Sequence, residues 1–199
     1  MKHWLVIDLE ATTDLGGWAT EEMEIIEIGA VLVDEQGREL DHFQHFVQPS
    51  RRPQLTAFCR ELTHISQADV DSAPTLKQLQ PSFEAWLQQH LPGLQGWLSW
   101  GNYDRQQFEV EWRRQQIASC LATLPHFNLK KLFHRQFKSV VGRKRVGLNR
   151  ALEMTGLTFL GTQHRGLDDA RNIARLLPAT LPVLAAARLE AQQGQQTRQ

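Results

Sequence analysis

The sequence predicts a single α/β domain built on a mixed β-sheet. Apolar runs with strand character dominate the first fifty residues, and helical patterns alternate with short strand-like segments after them. The chain has 199 residues, 41% of them hydrophobic, which suffices for one sizeable core. We expect one domain over residues 1–185 and a flexible, glutamine-rich tail over residues 186–199.

Three predicted strands follow one another closely near the start of the chain. Residues 3–12 form a short apolar run that contains acids, and residues 24–34 form a longer run. A turn at Asp34–Arg38, which contains Gly37, separates that run from residues 39–49 and predicts a hairpin. The three strands together predict an antiparallel meander.

Helical spacing of apolar residues dominates the rest of the chain. This spacing predicts helices around residues 54–66, 75–91, 103–121, 147–157 and 167–190. A buried strand is expected at residues 96–101, and residues 127–137 fit either a strand or a helix. We expect the last helical region to break near Pro178 and Pro182, because proline cannot donate a backbone hydrogen bond.

The composition excludes several classes of protein. No apolar run is long enough to span a membrane, and the N-terminal residues do not have the pattern of a signal peptide. Two cysteines, Cys59 and Cys120, are too few for a disulfide framework or a zinc site. We therefore expect a cytoplasmic protein with reduced cysteines and no membrane contact.

The charged residues are unevenly distributed, although the formal net charge is zero. Residues 1–111 contain 18 acidic and 7 basic residues, whereas residues 112–152 contain 10 basic residues and none that is acidic. The basic segment either binds phosphate groups or forms a solvated surface that pairs with acidic neighbours. The lack of acids over so long a segment favours phosphate binding.

Two acids stand where a core strand should be apolar. In "VIDLEAT", Asp8 and Glu10 lie on the same face of the first strand as Val6. Two carboxylates this close repel each other, and burial increases the penalty, so a divalent cation such as Mg²⁺ or Mn²⁺ would stabilise them. The alternative is that Glu10 lies at a solvated strand end and Asp8 caps a turn.

Further acids stand at the starts of predicted helices. Asp104 follows the strand at residues 96–101, at a position where sites gather in open α/β sheets. Asp168 and Asp169 begin the last helical region, shortly after His164. Each acid is also compatible with an ordinary helix start, because the helix dipole favours negative charge there.

Three segments together resemble a known family. "VIDLEAT", "SWGNYDRQQF" and "HRGLDDARNIARL" have the order and approximate spacing of the three exonuclease motifs of the DEDD superfamily, histidine subgroup (DnaQ-like 3′→5′ exonucleases). The segments "EMEIIEIGAVLVD" and "LTAFCRELTHISQADVDSAPTL" make the chain most similar to the ERI-type and KapD-like branch. The resemblance covers roughly residues 3–177 and implies a ribonuclease H-like fold.

The resemblance implies a metal site with four acidic ligands: Asp8, Glu10, Asp104 and one aspartate of the last motif. In the histidine subgroup the general base precedes that aspartate with four residues between them, so counting from His164 selects Asp169 rather than Asp168. The site would hold two Mg²⁺ ions about 4 Å apart, for which Mn²⁺ could substitute. His164 and Glu10 would be the catalytic residues. His164 would be the general base, since the ordinary pKa of histidine suits that role.

The same resemblance suggests the contacts to substrate. Leu9, Ala11 and Thr12 would contact the terminal nucleotide, together with His164. Independently of the resemblance, the basic charge of residues 130–150 favours binding of the strand upstream, with Lys144 and Arg145 as the candidates within it. Arg165 is an alternative contact near the scissile phosphate. Bases would stack on aromatic rings, for which the candidates are Trp100 and Phe58, although a core position is slightly favoured for each.

The expected substrate is a 3′ end of single-stranded RNA or DNA, with RNA favoured, and the expected products are nucleoside 5′-monophosphates. A proofreading or repair exonuclease acting on DNA shares every catalytic residue and stays open as an alternative. A nucleic-acid-binding module that uses the same fold without cutting is the second alternative. The complete set of motif residues argues against that module.

Overall fold

The computed structural model describes residues 2–196 and is centred on a five-stranded sheet in the order β3-β2-β1-β4-β5. The strands are, in chain order, β1 (His3–Ala11), β2 (Ile25–Asp34), β3 (Glu39–Phe46), β4 (Leu94–Ser99) and β5 (His126–Asn128). Strands β1, β2 and β3 pair antiparallel, whereas β4 and β5 extend the sheet parallel to β1. The predicted α/β class with a meander plus parallel strands is therefore confirmed.

Helices cover both faces of this sheet. They are α1 (Ala57–Thr63), α2 (Gln67–Asp71), α3 (Leu76–His90), α4 (Tyr103–Gln115), α5 (Leu129–Gln136), α6 (Lys138–Val141), α7 (Leu148–Met154), α8 (Gly166–Ala174) and α9 (Leu177–Gln196). A short 3₁₀ turn at Cys120–Thr123 precedes β5. Residues 127–137, which fitted either type of element, contain the end of β5 and all of α5.

The alternation of side chains along β1 divides the core into two layers. Trp4 and Val6 point to one face, where they pack against apolar side chains of α5, α7, α8 and α9. Leu5, Ile7 and Leu9 point to the other face, where they pack against α3 and α4. Since Asp8 and Glu10 follow the parity of Val6, they lie on the same side of the sheet as α8.

Helix α8 lies unusually close to the sheet. A Cβ atom added at Gly29 of β2 would stand only 2.0 Å from the carbonyl carbon of Gly166, at the first residue of the helix. A Cβ atom at Gly166 would in turn stand 2.9 Å from the carbonyl oxygen of Asp8. Two glycines therefore allow the start of α8 to rest directly on the backbone of β1 and β2.

The end of the chain differs in part from the prediction. Helix α8 ends at Ala174 and α9 begins at Leu177, so the region does break near Pro178, as predicted. Helix α9 then continues through Pro182 to Gln196, so the break at Pro182 and the irregular tail from residue 186 are not found among the described residues. Pro178 is the second residue of α9, where the backbone N–H groups of a helix have no partner within the helix. Residues 197–199 lie outside the described residues, and the flexibility of the tail stays a prediction.

Two expectations about the class of protein can be compared with the structure. Cys59 and Cys120 are both free thiols, as predicted, and Cys59 is buried. Within residues 2–196, none of the helices combines the length and the apolar character that a membrane span requires.

Candidate active site

Two acids of the site lie at the C-terminal end of β1. Glu10 is 8% exposed and Asp8 is half-buried, and the two lie two residues apart on the face that α8 covers. The apolar residues before them bury the strand, so both carboxyl groups are held at the point where the sheet opens to solvent. The predicted common face of Asp8 and Glu10 is confirmed by the two core layers.

Asp104 reaches the same place from helix α4, which follows the neighbouring strand β4. Strand β4 runs parallel to β1, and α4 begins four residues after β4 ends, which places the first turn of α4 beside the end of β1. The backbone N–H of Leu9 donates a hydrogen bond to Asp104 Oδ1 at 3.0 Å. This bond ties the buried carboxyl group of Asp104 to the strand that carries Asp8 and Glu10.

Asp169 comes from the first turn of α8. The backbone N–H of His164 donates to Asp169 Oδ2 at 2.6 Å. The adjacent Asp168 points elsewhere, and its Oδ2 accepts a hydrogen bond from the backbone N–H of Thr162 at 2.8 Å. Asp168 therefore fixes the loop before α8, whereas Asp169 faces the acids of β1.

These side chains line one small cleft of about 370 Å³, which we call the acidic cleft. Its lining comprises Asp8, Leu9, Glu10, Trp100, Tyr103, Asp104, Leu148, His164 and Asp169. Donor atoms of Glu10, His164 and Asp169 all lie within 4.8 Å of one another. The exposed imidazole of His164 stands at the mouth of the cleft, and its backbone has a positive φ of 60°.

The environment of the cleft opposes ionisation of its acids. Desolvation by burial is the largest cause that raises the pKa of Asp8 and of Glu10, and neighbouring carboxylates raise both further. Burial also raises the pKa of Asp104 and that of Asp169 to about 6, although hydrogen bonds from backbone N–H groups act in the opposite direction. Clustered carboxyl groups of this kind fit a hard divalent cation, which would neutralise their mutual repulsion.

A fifth acid, Glu27, supports the cleft from behind. It pairs with Glu10 across β1 and β2 and is fully buried. Its carboxylate forms an ion pair with Arg165, Nε to Oε2 at 3.1 Å, and also accepts a hydrogen bond from the backbone N–H of Gly166 at 3.0 Å. The charge of Arg165 opposes the rise in the pKa of Glu10, although burial dominates.

Sequence reasoning missed Glu27, and a signal for it was present. Glu27 interrupts the apolar run "IIEIGAVLV" just as Asp8 and Glu10 interrupt the first strand. The structure also gives Arg165, expected as an alternative phosphate contact, a definite partner in Glu27. The Arg165 guanidinium lies 5.0 Å from the ring centroid of Phe46, which further holds it in place.

The predicted contacts to the terminal nucleotide lie in different surroundings. Leu9 lines the acidic cleft. Ala11 and Thr12 are buried outside its lining, and the hydroxyl group of Thr12 accepts a hydrogen bond from the backbone N–H of Glu24 at 2.9 Å. The structure thus brings Leu9 together with the acids but holds the Thr12 side chain within the fold.

The two candidate stacking residues border different clefts. Trp100 lines the acidic cleft and packs edge-on against Phe133. Phe58 is half-buried and lines a neighbouring cleft of about 560 Å³, the Phe58 cleft, together with Leu62, His64 and His164. His164 belongs to both linings, so the two clefts are adjoining.

The predicted upstream contacts lie away from the acids. Lys144 and Arg145 are both exposed in the segment between α6 and α7. Arg145 lines a third cleft, which also contains Lys131, whereas Lys144 lines none of these three clefts. The basic segment of the sequence is therefore divided between a groove and open surface.

The fold and the cluster of acids define a nuclease domain of the ribonuclease H-like type. The family model that matches residues 5–177 carries the description exonuclease (RNase_T). The chain belongs to this exonuclease family, which confirms the resemblance found in its three motifs.

Relatives and solved structures agree with this assignment. Human ERI1 exoribonuclease 2 is 34% identical over 197 residues, which cover 87% of this chain but only 28% of the human protein. The 3′-5′ exonuclease eri1 of Schizosaccharomyces pombe is 28% identical over 204 residues, covering 89% of this chain and 67% of the yeast protein. The nuclease domain of 3′hExo, a DEDDh family member bound to rAMP, has a TM-score of 0.82 and 30% identity, covering 91% of this chain and 92% of that domain.

Proposed function

We propose that the protein is a 3′→5′ exonuclease that removes nucleotides from the 3′ end of single-stranded nucleic acid, RNA in preference to DNA. The observation that carries the proposal is the acidic cleft, in which four carboxyl groups and His164 surround one space. Relatives that bear the name exoribonuclease support the choice of RNA. The products are nucleoside 5′-monophosphates.

Two divalent metal ions fit the donor set of the acidic cleft. Membership of the DEDDh group implies such ions, and we assign Asp8, Glu10, Asp104 and Asp169 as their ligands. Carboxylate oxygens are the ligands that Mg²⁺ and Mn²⁺ prefer, so we propose Mg²⁺ with Mn²⁺ as a substitute. Bound ions would polarise the phosphodiester and neutralise the charge that develops as the bond breaks.

His164 and Glu10 are the proposed catalytic residues. A ring nitrogen of His164 takes a proton from the attacking water, and the nearby carboxylate of Glu10 orients that water. The water oxygen bonds to phosphorus, the bond from phosphorus to the 3′ oxygen of the preceding nucleotide breaks, and that oxygen takes up a proton. Because the imidazole is exposed, His164 can return its proton to solvent before the next cycle.

We place the terminal nucleoside of the substrate in the Phe58 cleft, beside the acidic cleft. His164 borders both spaces, so a phosphate among the acids would leave its base within reach of Phe58. Leu9 would lie under the sugar, and Trp100 would contact the next base. Ala11 and Thr12 would hold the end of β1 in position, since the Thr12 hydroxyl group is bonded to the Glu24 backbone.

The test is digestion of 5′-labelled oligonucleotides of one sequence as RNA and as DNA, single-stranded and double-stranded, with Mg²⁺, with Mn²⁺ and with chelator. We expect a ladder that shortens from the 3′ end, faster on single-stranded RNA and absent with chelator. Faster digestion of DNA would favour a proofreading or repair enzyme. Binding without digestion in either metal would favour a non-cutting module.

A cytoplasmic location, favoured by the free thiols of Cys59 and Cys120, is part of the proposal.

A further inference from the structure

We propose that a second, basic groove binds the phosphate backbone of the nucleotides upstream of the scissile bond. The groove has a volume of about 640 Å³, and its cations are Arg105, Lys131, Arg135, Lys138 and Arg145. This inference rests on the proposed function, because it assigns a path to the same single-stranded RNA. It adds a binding site that the acidic cleft and its catalytic residues do not require.

The position of the basic groove follows from the order of the strands. Asp8 and Glu10 stand at the C-terminal end of β1, Asp104 follows β4, and the groove contains Asn128 at the end of β5. These parallel strands are neighbours, so the groove begins roughly 10 Å along the sheet edge from the acids, which is two strand spacings. A polynucleotide that leaves the acidic cleft along this edge enters the groove.

The first turn of α4 forms the wall between the two spaces. Tyr103 and Asp104 line the acidic cleft, whereas Asn102 and Arg105 line the basic groove. The groove is thus separated from a proposed metal ligand by the thickness of one helical turn.

The Phe58 cleft gives the path its direction. The Phe58 cleft adjoins the acidic cleft at His164. The basic groove adjoins the acidic cleft at a different point, where Asp104 and Arg105 are neighbours. A strand with its terminal nucleoside in the Phe58 cleft and its scissile phosphate among the acids therefore has its upstream part on the side of the groove. This order of the three clefts fits a 3′ end that enters the site.

The cations of the basic groove are poorly neutralised within the protein. Among the described residues, no acidic group lies within ion-pair distance of Lys131, Lys138 or Arg145. Arg135 and Glu190 approach only to 4.0 Å, and both are largely exposed. Glu190 is the acid among the residues that line the groove, so the lining carries a clear excess of positive charge.

Two residues that line the groove carry a nitrogen atom without a hydrogen-bond partner within the fold. Nδ1 of His134 and Nε of Arg105 are buried without a hydrogen-bond partner among the described residues. Arg105 forms an ion pair with the Glu109 carboxylate at 3.6 Å, a distance that is too long for a hydrogen bond. The unpaired cations Lys131, Lys138 and Arg145 on one concave surface suit phosphate oxygens, and they require no particular base sequence.

The first experiment measures binding of a fluorescent single-stranded RNA of about 16 nucleotides in chelator, where it is not cut. The triple variant Lys131→Ala/Lys138→Ala/Arg145→Ala should bind roughly 10-fold more weakly, and its salt dependence should fall by about two units of slope. The matched control Lys2→Ala/Lys77→Ala/Arg113→Ala removes the same charge from exposed positions outside the groove and should bind like the unmodified protein. Equal behaviour of the two triple variants would overturn the proposal.

The second experiment varies the length of the RNA during digestion with Mg²⁺. A dinucleotide reaches the acidic cleft but leaves no chain for the groove, so the groove variant should lose least on it. The loss should increase with length up to about 16 nucleotides and appear in KM rather than kcat. A loss that is the same at every length would contradict an upstream site.

Failure of the two proposals can be told apart. If the unmodified protein digests no oligonucleotide with either metal, the proposed function is wrong, while the binding comparison still decides whether the groove holds RNA. If digestion proceeds and the groove variant matches its control in both affinity and salt dependence, only the groove assignment fails. The single variant Glu190→Gln adds an opposite test, because removal of this acid should tighten binding.

Discussion

The backbone N–H of His164 and the carboxylate of Asp169 form a hydrogen bond of 2.6 Å. The bond links the proposed base directly to a proposed metal ligand, five positions further along the chain. It also holds His164 in a left-handed backbone conformation that few residues other than glycine adopt. The spacing between histidine and aspartate in the motif therefore corresponds to one compact turn that begins α8.

The first prediction separates the two adjacent aspartates. Asp169→Asn should reduce metal-dependent digestion by at least about 100-fold, because even residues outside the metal's own ligand set commonly change activity by 10- to 100-fold. Asp168→Asn should keep most of the activity, since an asparagine oxygen can still accept the hydrogen bond from Thr162. The rates of RNA digestion of both variants, with circular dichroism to confirm folding, check this expectation. The reverse order of effects would show that Asp168 is the ligand.

Much of this site could be predicted because its chemistry interrupts regular patterns. Asp8 and Glu10 stand out from an apolar strand, and the count of residues after His164 selects Asp169. The fold class also follows from local patterns, since a short turn with Gly37 joins the apolar run of β2 to the strand-like run of β3. What these features share is that neighbouring residues in the sequence determine them.

Features that depend on contacts between distant segments could not be predicted in the same way. Glu27 and Arg165 are 138 positions apart, and their ion pair exists only because α8 rests on β2. The division of the basic segment between Arg145 in the groove and Lys144 on open surface depends on how the segment between α6 and α7 packs. Helix α9 continues past residue 186, and its residues Leu184 and Ala187 pack against the core that α5, α7 and α8 form with the sheet.

The second prediction concerns the proton acceptor. His164→Ala should lower kcat by about 100-fold or more while RNA binding in chelator changes little, since general-base catalysis contributes about 10²- to 10⁴-fold. His164→Asn serves as the conservative variant, because asparagine tolerates a positive φ better than alanine does. Both variants should show the same loss, measured with saturating RNA. Near-normal turnover in His164→Asn would exclude the imidazole as the base.

The third prediction concerns competition between metal ions and protons. Without metal, the pKa of Asp104 and that of Asp169 are raised to about 6, above the ordinary value of about 4. Between these values the folded state binds more protons than the unfolded state, so these two acids lower the free energy of unfolding as the pH rises from about 4 to 6. Metal ions should remove that loss of free energy of unfolding above about pH 6, and they should bind weakly below about pH 6.

Thermal unfolding at pH 5 and pH 8, with and without Mn²⁺, measures this linkage. The midpoint should rise with Mn²⁺ at pH 8 and change little at pH 5. The double variant Asp104→Asn/Asp169→Asn should lose the response to Mn²⁺ at both values, because the titrating ligands are absent. A metal-induced shift of equal size at both pH values would contradict the proposed ligand set.

The fourth prediction concerns the ion pair behind the acidic cleft. Arg165→Met should lower the free energy of unfolding by about 2 kcal/mol, because it leaves the buried carboxylate of Glu27 without a cation. The figure is below the range for a fully buried pair because the Arg165 side chain is 26% exposed. The double variant Glu27→Gln/Arg165→Met should recover part of the loss, as both charges are then removed. Urea unfolding of the single and double variants measures the coupling, and purely additive losses would show that the pair contributes nothing.

The fifth prediction concerns the contact between β2 and α8. Gly29→Ala should lower the free energy of unfolding by about 3 kcal/mol, because its Cβ would stand 2.0 Å from the backbone of Gly166 and neither backbone can yield without displacing its element. Movement of α8 would also carry Asp169 away from Glu10, so the remaining folded protein should digest RNA more slowly and respond less to Mn²⁺. Gly147→Ala is the matched control, since nothing lies within 4 Å of a Cβ added at this exposed position. If Gly29→Ala unfolds at the same urea concentration as Gly147→Ala and digests RNA at the same rate, the glycine contact does not position α8.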